Sequence, residues 1–309
     1  PGSGKLATCL SQLYHEHKRG INAGYAKFET FPVWNLPLKH PVNIAYEAAT
    51  ADLKDINMID PFHLEKYNIN AVNYNRDVET FPILKNILHH ITGKDIYFSP
   101  TDMGVNMVGY CIKNNDIVEN AAKKEVVRRY FNELCNYKQG ISDFDTVQKI
   151  KLLMNELNID ENFLKVVEVS KKASEKKKTN VIALELPKGK IITGKQTDLL
   201  SPASSVIINA IKELSKIPDE INLLSPTILE PILKLRKNNN TLSLQEVLIA
   251  LAVCSVTNPS IASALEKLEV LKDCEAHATY IVTNGDLKAL KSLKINLTCE
   301  PNFYSKEIM

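Results

Sequence analysis

Apolar positions recur along the chain with more than one period. Residues 5–19 set Leu6, Cys9, Leu10 and Leu13 on one helical face, with Gly20 as the stop. Residues 23–29 alternate in the manner of a strand. A proline-punctuated loop, Phe31 to His40, leads to Pro41, which suits the first turn of a helix. Ile56 to Ile59 is a short apolar stretch closed by Asp60-Pro61. Residues 77–91 read as a helix ending at Gly93, and a loop, Ser99 to Asn106, follows.

The character then changes. Apolar pairs at 117/118, 121/122, 126/127, 130/131 and 134/135 trace a helical face, and 143–157 and 160–178 predict two more helices. From about residue 180, VIALELP and KIITG predict a hairpin around Lys188-Gly189. A helix at 202–216, a short strand INLLS (221–225) and a helix from Pro226 come next. Apolar helices at 243–256 and 259–268, a strand AHATYIV, a helix GDLKALKSL and a last strand INLTC complete the chain. Mixed β and α with short connections predicts an α/β fold with a layered C-terminal part. Three regions are expected: 1–114, the remainder of an N-terminal α/β domain; 115–178, a helical subdomain; and 179–309, a C-terminal α/β subdomain.

Length and charge narrow the function classes. At roughly 100–200 residues per domain, 309 residues suggest two compact units or one large one. With 44% hydrophobic and 24% charged residues, collagen-like, disordered and disulfide-rich classes are excluded. A net charge of +2 supplies no global field for nucleic acid or an anionic membrane, so neither is expected as a partner. The longest apolar run, Val247 to Cys254, is too short to span a bilayer. The lysine cluster at 171–178 has no interleaved aromatics and reads as a solvated helix end. None of the six cysteines forms a CxxC, and nothing resembles a disulfide framework, which fits a reducing cytosol. The chain opens on Pro1 inside a glycine-rich stretch, so the natural N-terminus is expected to lie upstream.

Candidate chemistry sits mostly in loops. In Pro1-Gly2-Ser3-Gly4-Lys5, glycines permit the backbone to fold around an anion, and Lys5 with the following helix start can hold a phosphate. Leu6 stands where a phosphate loop carries its magnesium-binding Ser or Thr, so the full motif is not met. His15-Glu16-His17 lacks the H-E-x-x-H spacing of a zinc protease. Asp60 and His63 follow a short apolar segment, where acid–base chemistry or a helix cap are both admissible. Asn73, Asn75 and Arg76 form a polar run in a chain where arginine is scarce, so Arg76 is a candidate phosphate or carboxylate clamp; capping is the alternative. Thr101, Asp102 and Asn106, with Gly104 among them, resemble a binding loop. Cys274 and His277 offer a thiol and an imidazole, although on an extended segment they fall on opposite faces.

Several stretches together, among them PGSGKLATCLSQLYHEHKRG, NMIDPFHLEKY, AVNYNRDVETFP, SPTDMGVNM and CEAHAT, resemble the bacterial family catalogued as domain of unknown function 1846. The resemblance runs along nearly the whole chain. It implies a truncated Rossmann-like α/β region, a helical insert, and a C-terminal subdomain of cytidine-deaminase-like topology. The deaminase pairing of H-x-E with P-C-x-x-C is missing, because the sequence holds no P-C-x-x-C, so topology brings no activity with it.

The reading favoured by these residues is a cytoplasmic protein binding a nucleotide, such as ATP, or another phosphorylated metabolite, with Mg as a candidate companion. Gly2, Ser3, Gly4 and Lys5 would hold phosphate, assisted by Arg76, and Asp60, His63 or Asp102 would supply acid–base chemistry. One pocket lined by at least three of Lys5, Asp60, Arg76 and Asp102 is expected. The alternatives are a non-catalytic ligand-binding or assembly protein, including a homo-oligomer, and a thiol enzyme using Cys274.

Overall fold

The computed structural model describes residues 4–235 and 241–304. The chain is mixed α/β and divides into two compact units. One comprises residues up to Val126 together with Gln148–Asn158. The other comprises Val127–Val147 and everything from Ile159 onward. The helical stretch expected over 115–178 is therefore shared by the two units.

In the N-terminal unit the helices are α1 (Lys5–Lys18), α2 (Pro41–Ala49), α3 (Pro61–Tyr67) and α4 (Asn75–Thr92). Strands β1 (Asn57–Ile59) and β2 (Val72–Tyr74) pair antiparallel, with Met58 opposite Asn73. Among the described residues this pair is the unit's sheet, and it contains no parallel strands. The strand expected at 23–29 is extended chain without a ladder partner. Its fixed points include a hydrogen bond from the Lys27 amide to the Met103 carbonyl at 2.8 Å. Leu13 of α1 packs with Phe81, Leu84 and Leu88 of α4 and with Met103. Gly93 ends α4 at φ 70°, the left-handed geometry that glycine adopts without strain. The chain passes from one unit to the other within α5 (Asn115–Lys138) and α6 (Phe144–Glu156).

The C-terminal unit begins with α7 (Lys165–Lys177), then β3 (Val181–Glu185) and β4 (Ile191–Lys195). Gly189, at φ 81°, makes their hairpin turn as the sequence predicts. Helices α8 (Pro202–Leu214), α9 (Pro226–Lys234), α10 (Leu244–Ser255) and α11 (Pro259–Glu266) precede β5 (Glu275–Ala278). α12 (Asn284–Ser292) and β6 (Asn296–Cys299) follow. The sheet order is β4-β3-β5-β6, with β3 antiparallel to β4 and β5, and β5 parallel to β6. Residues 221–225 form no strand, and β5 stops at Ala278 rather than continuing to Val282. Val181 to Leu184 are fully buried, which marks β3 as a central strand. Gly194 lets β4 approach the first turn of α8: a Cβ there would collide with the Val206 backbone.

Candidate functional site

Asp60, His63, Ser99, Thr101 and Asp102 come together in one hydrogen-bonded cluster. Asp60 is fully buried and caps α3, accepting from the Phe62 and His63 amides at 3.0 and 3.1 Å. Its other oxygen accepts from the Thr101 amide (3.2 Å) and hydroxyl (2.5 Å). Four donors occupy the carboxylate, so its work here is structural, tying α3 to the loop. Asp102 completes a capping box with Ser99, accepting from the Phe98 and Ser99 amides and from the Tyr67 hydroxyl.

Ser99, His63 and Asp102 superficially suggest a catalytic triad. The Ser99 hydroxyl lies 2.9 Å from His63 Nδ1, and an Asp102 oxygen lies 3.5 Å from that same nitrogen. A triad needs nucleophile and acid on opposite ring nitrogens, so this arrangement is not one. Asn73 donates to the Thr101 hydroxyl at 3.4 Å, and Asn75 accepts from the Ile56 amide. Asn106 bonds the Thr30 carbonyl and the Val108 amide and forms a bridge with Val33. These residues, proposed from sequence as ligand contacts, spend their polar groups on the fold.

Arg76 belongs to a neighbouring cluster. Its Nη2 donates to Oδ2 of the buried Asp55 carboxylate at 2.8 Å and its Nε lies 2.6 Å from Oδ1 as an ion-pair contact, while half of its side chain stays exposed. That hydrogen bond raises the arginine's proton affinity first, and the Asp55 charge adds to it. Lys5, the first residue of α1, is exposed and makes no hydrogen bond or ion pair with Asp60, Arg76 or Asp102 among the described residues. Of the four residues expected around one pocket, only Asp60 and Asp102 share a cluster. Gly2 and Ser3 lie outside the described residues. Gly4 sits at φ 72° as the N-cap of α1, with no side chain capping the helix.

The most perturbed groups of this unit were not singled out by sequence. Lys27 pairs with Asp77 and lies 3.9 Å from Glu29. Burial, reinforced by the Asp77 charge and opposed by Lys27, pushes the Glu29 carboxyl up to about 7. Tyr74 is held protonated by burial and then by Asp77 and Glu29; Tyr46 is raised chiefly by burial. Tyr25 is raised first by burial and then by the Asp77 charge. The sequence signal was present: Tyr25, Lys27 and Glu29 are two apart in an alternating stretch, hence on one side of it.

In the C-terminal unit, Cys274 and His277 are not brought together. Cys274 is buried, its thiol directed to the Val270 carbonyl, and burial raises it away from thiolate chemistry. His277 spends Nδ1 on the Thr298 hydroxyl (2.8 Å) and Nε2 on Glu300 (3.1 Å). Glu300 also meets Lys171 at 2.8 Å. The nucleophile–base dyad therefore does not form: the thiol faces its own turn, and the imidazole is committed elsewhere. Among the described residues, no group of three or more His, Cys, Asp or Glu can hold a metal ion.

Family models described as "Domain of unknown function DUF1846, N-terminal" and "Domain of unknown function DUF1846, C-terminal" match residues 1–158 and 162–309. The chain belongs to the DUF1846 family. The seam between the two DUF1846 models coincides with the end of the N-terminal unit at Asn158. Similar curated proteins include a "UPF0371 protein" of Clostridium tetani, 51% identical over 322 residues, and "UPF0371 protein CLL_A2797" of Clostridium botulinum, 54% identical over 322 residues. Both alignments take in 100% of this chain and 64% of the relative, so the chain spans about two-thirds of their length at most. No helix among the described residues is long and apolar enough to cross a membrane.

Proposed function

We propose that this DUF1846 chain carries an acid–base site built on Glu29, Lys27 and Asp77 that acts on a phosphorylated metabolite or nucleotide in the cytoplasm. The observation that carries the reading is Glu29: a carboxyl with proton affinity near neutrality, beside a lysine and a second carboxylate. Such a group can give or take a proton at physiological pH, and perturbed groups of this kind concentrate at functional sites. Tyr74 supplies a protonated hydroxyl beside the same carboxylates. The phosphate part of the proposal rests on α1. Gly4 in left-handed geometry leaves the first helical N–H groups without a side-chain cap, and Lys5 stands exposed beside them. A non-catalytic binding or assembly role is favoured by a different observation: Asp60, Asp102, Asn73, Asn75 and Arg76 are all engaged within the fold.

Calorimetry with ATP, ADP and inorganic phosphate tests the phosphate part. Lys5→Ala is expected to weaken binding by about 1.5–3 kcal/mol; undiminished affinity rejects a role for the helix start. A turnover screen over phosphorylated metabolites tests the acid–base part. Glu29→Gln should abolish turnover while leaving ligand affinity within a few-fold, whereas binding without turnover in the parent chain favours the non-catalytic role.

A further inference from the structure

A cavity of about 610 Å³ opens in the C-terminal unit against β4 and α8. That volume suits a small-molecule ligand. Its lining mixes apolar side chains, including Ile192, Ile208 and Leu229, with an excess of lysines over carboxylates. Lys177, Lys190, Lys195 and Lys212 face Glu213 and Asp219, and Lys190 already pairs with Glu213.

Two buried groups in this lining lack the partners their chemistry calls for. Lys212 is only 6% exposed, yet its ammonium donates to a single group, the Asp219 carbonyl oxygen, at 2.9 Å. No carboxylate lies within ion-pair distance of it among the described residues. An ammonium has three N–H donors, and buried charges in proteins are ordinarily paired. Ser205, two turns earlier on the same face at i−7, is 8% exposed, and its hydroxyl oxygen is shielded from solvent and has no hydrogen-bond partner. Seven residues is two turns, so both side chains come from the same face of α8. A buried cation and an unsatisfied hydroxyl, with Ile208 between them on one face of α8 and with Ile192 and Leu229 also in the lining, describe a receptor for a molecule with a charged head and a short apolar body.

We propose that this pocket binds a small organic anion. The headgroup, a phosphate or a carboxylate, meets the Lys212 ammonium and the Ser205 hydroxyl, and the apolar body lies against Ile192, Ile208 and Leu229. A lysine ammonium acts as a point charge and accepts either headgroup, which is why the class is defined by charge and apolar body together.

The test is calorimetric titration of the 309-residue chain with hexyl phosphate, hexanoate and hexanol. At least one of the two anions is expected to bind saturably, at least tenfold more tightly than hexanol, and their ratio identifies the headgroup. Lys212→Met should weaken that anion at least tenfold without lowering the melting temperature, because it replaces an unneutralised buried charge by an apolar chain of similar length. Ser205→Ala should weaken it two- to fivefold. The proposal is overturned if neither anion saturates, if hexanol binds equally well, or if both variants keep the parent affinity. The last result would place the anion elsewhere, for instance at the start of α1. If Lys212→Met fails to fold, Ser205→Ala decides alone: unchanged affinity rejects the pocket.

Discussion

Gly104 and Lys27 are packed backbone to backbone. A Cβ added at Gly104 would collide with the Lys27 carbonyl oxygen, and the Lys27 amide donates to Met103 immediately before the glycine. The segment from Ser99 to Asn106, read from sequence as a binding loop, thereby holds the extended 21–30 segment and fixes where the Lys27 side chain starts.

Gly104→Ala should consequently act at two levels. Its φ of 149° is strained for any side chain, and the clash is with backbone, which cannot swing aside. A loss of about 2–3 kcal/mol in urea unfolding is expected. Displacement of Lys27 should also bring the Glu29 titration further up, since Lys27 opposes its rise. An alanine variant as stable as the parent would mean that the two segments are not locked together.

The Glu29 carboxyl gives the N-terminal unit an unusual pH dependence. Its folded value, about 7, lies above the ordinary 4.5. Between those values the folded state holds more protons than the unfolded state, so stability is full below pH 4.5 and declines as pH rises through 7. The decline should be on the order of 2–3 kcal/mol. Glu29→Gln should flatten it and be the more stable form at pH 8. Carbon NMR of the Glu29 carboxyl provides the direct check; a midpoint near 4.5 contradicts the account.

His277 biases the C-terminal unit the other way. Burial lowers its imidazole below 6.5, against the opposing pull of Glu300, while Glu300, which burial alone would raise, is lowered on balance by its bonds to His277 and Lys171. In both cases the unfolded state binds protons first as pH falls. The stability is therefore full above pH 6.5 and is lost on acidification. Opening free energies of β5 and β6 amides, measured by hydrogen exchange at pH 5 and 7.5, should be smaller at the acid value. Equal values would show that the His277 environment does not titrate as described.

Thiol accessibility separates the six cysteines. Cys9 and Cys111 are exposed, whereas burial raises Cys274 and pushes Cys299 up to about 11. Iodoacetamide at pH 7.5 should label Cys9 and Cys111 within minutes and leave Cys274 unmodified in the native chain. Rapid labelling of Cys274 would restore the thiol chemistry that the structure argues against.

The sequence by itself determined the elements whose signals are local. Helices at 5–18, 41–49, 75–92 and 244–255 follow from periodicity and from prolines or glycines at their ends, and the β3–β4 hairpin follows from Lys188-Gly189. Family membership was also legible, because long motifs such as SPTDMGVNM and CEAHAT stand in the sequence as unbroken strings. The tertiary structure decided partnership. Residues 23–29 alternate like a strand but find no neighbouring ladder, since strand formation requires a second chain segment at the right distance. Asp60 could have been an acid or a cap, and only the arrival of Thr101, 41 residues away, filled its remaining lone pairs. Alternation places Glu29 on one side of its segment with Tyr25 and Lys27, but nothing local in the sequence gives it a raised proton affinity. Its proton affinity comes from burial beside Asp77, 48 positions along the chain, and desolvation is a property of the packed fold rather than of any local pattern.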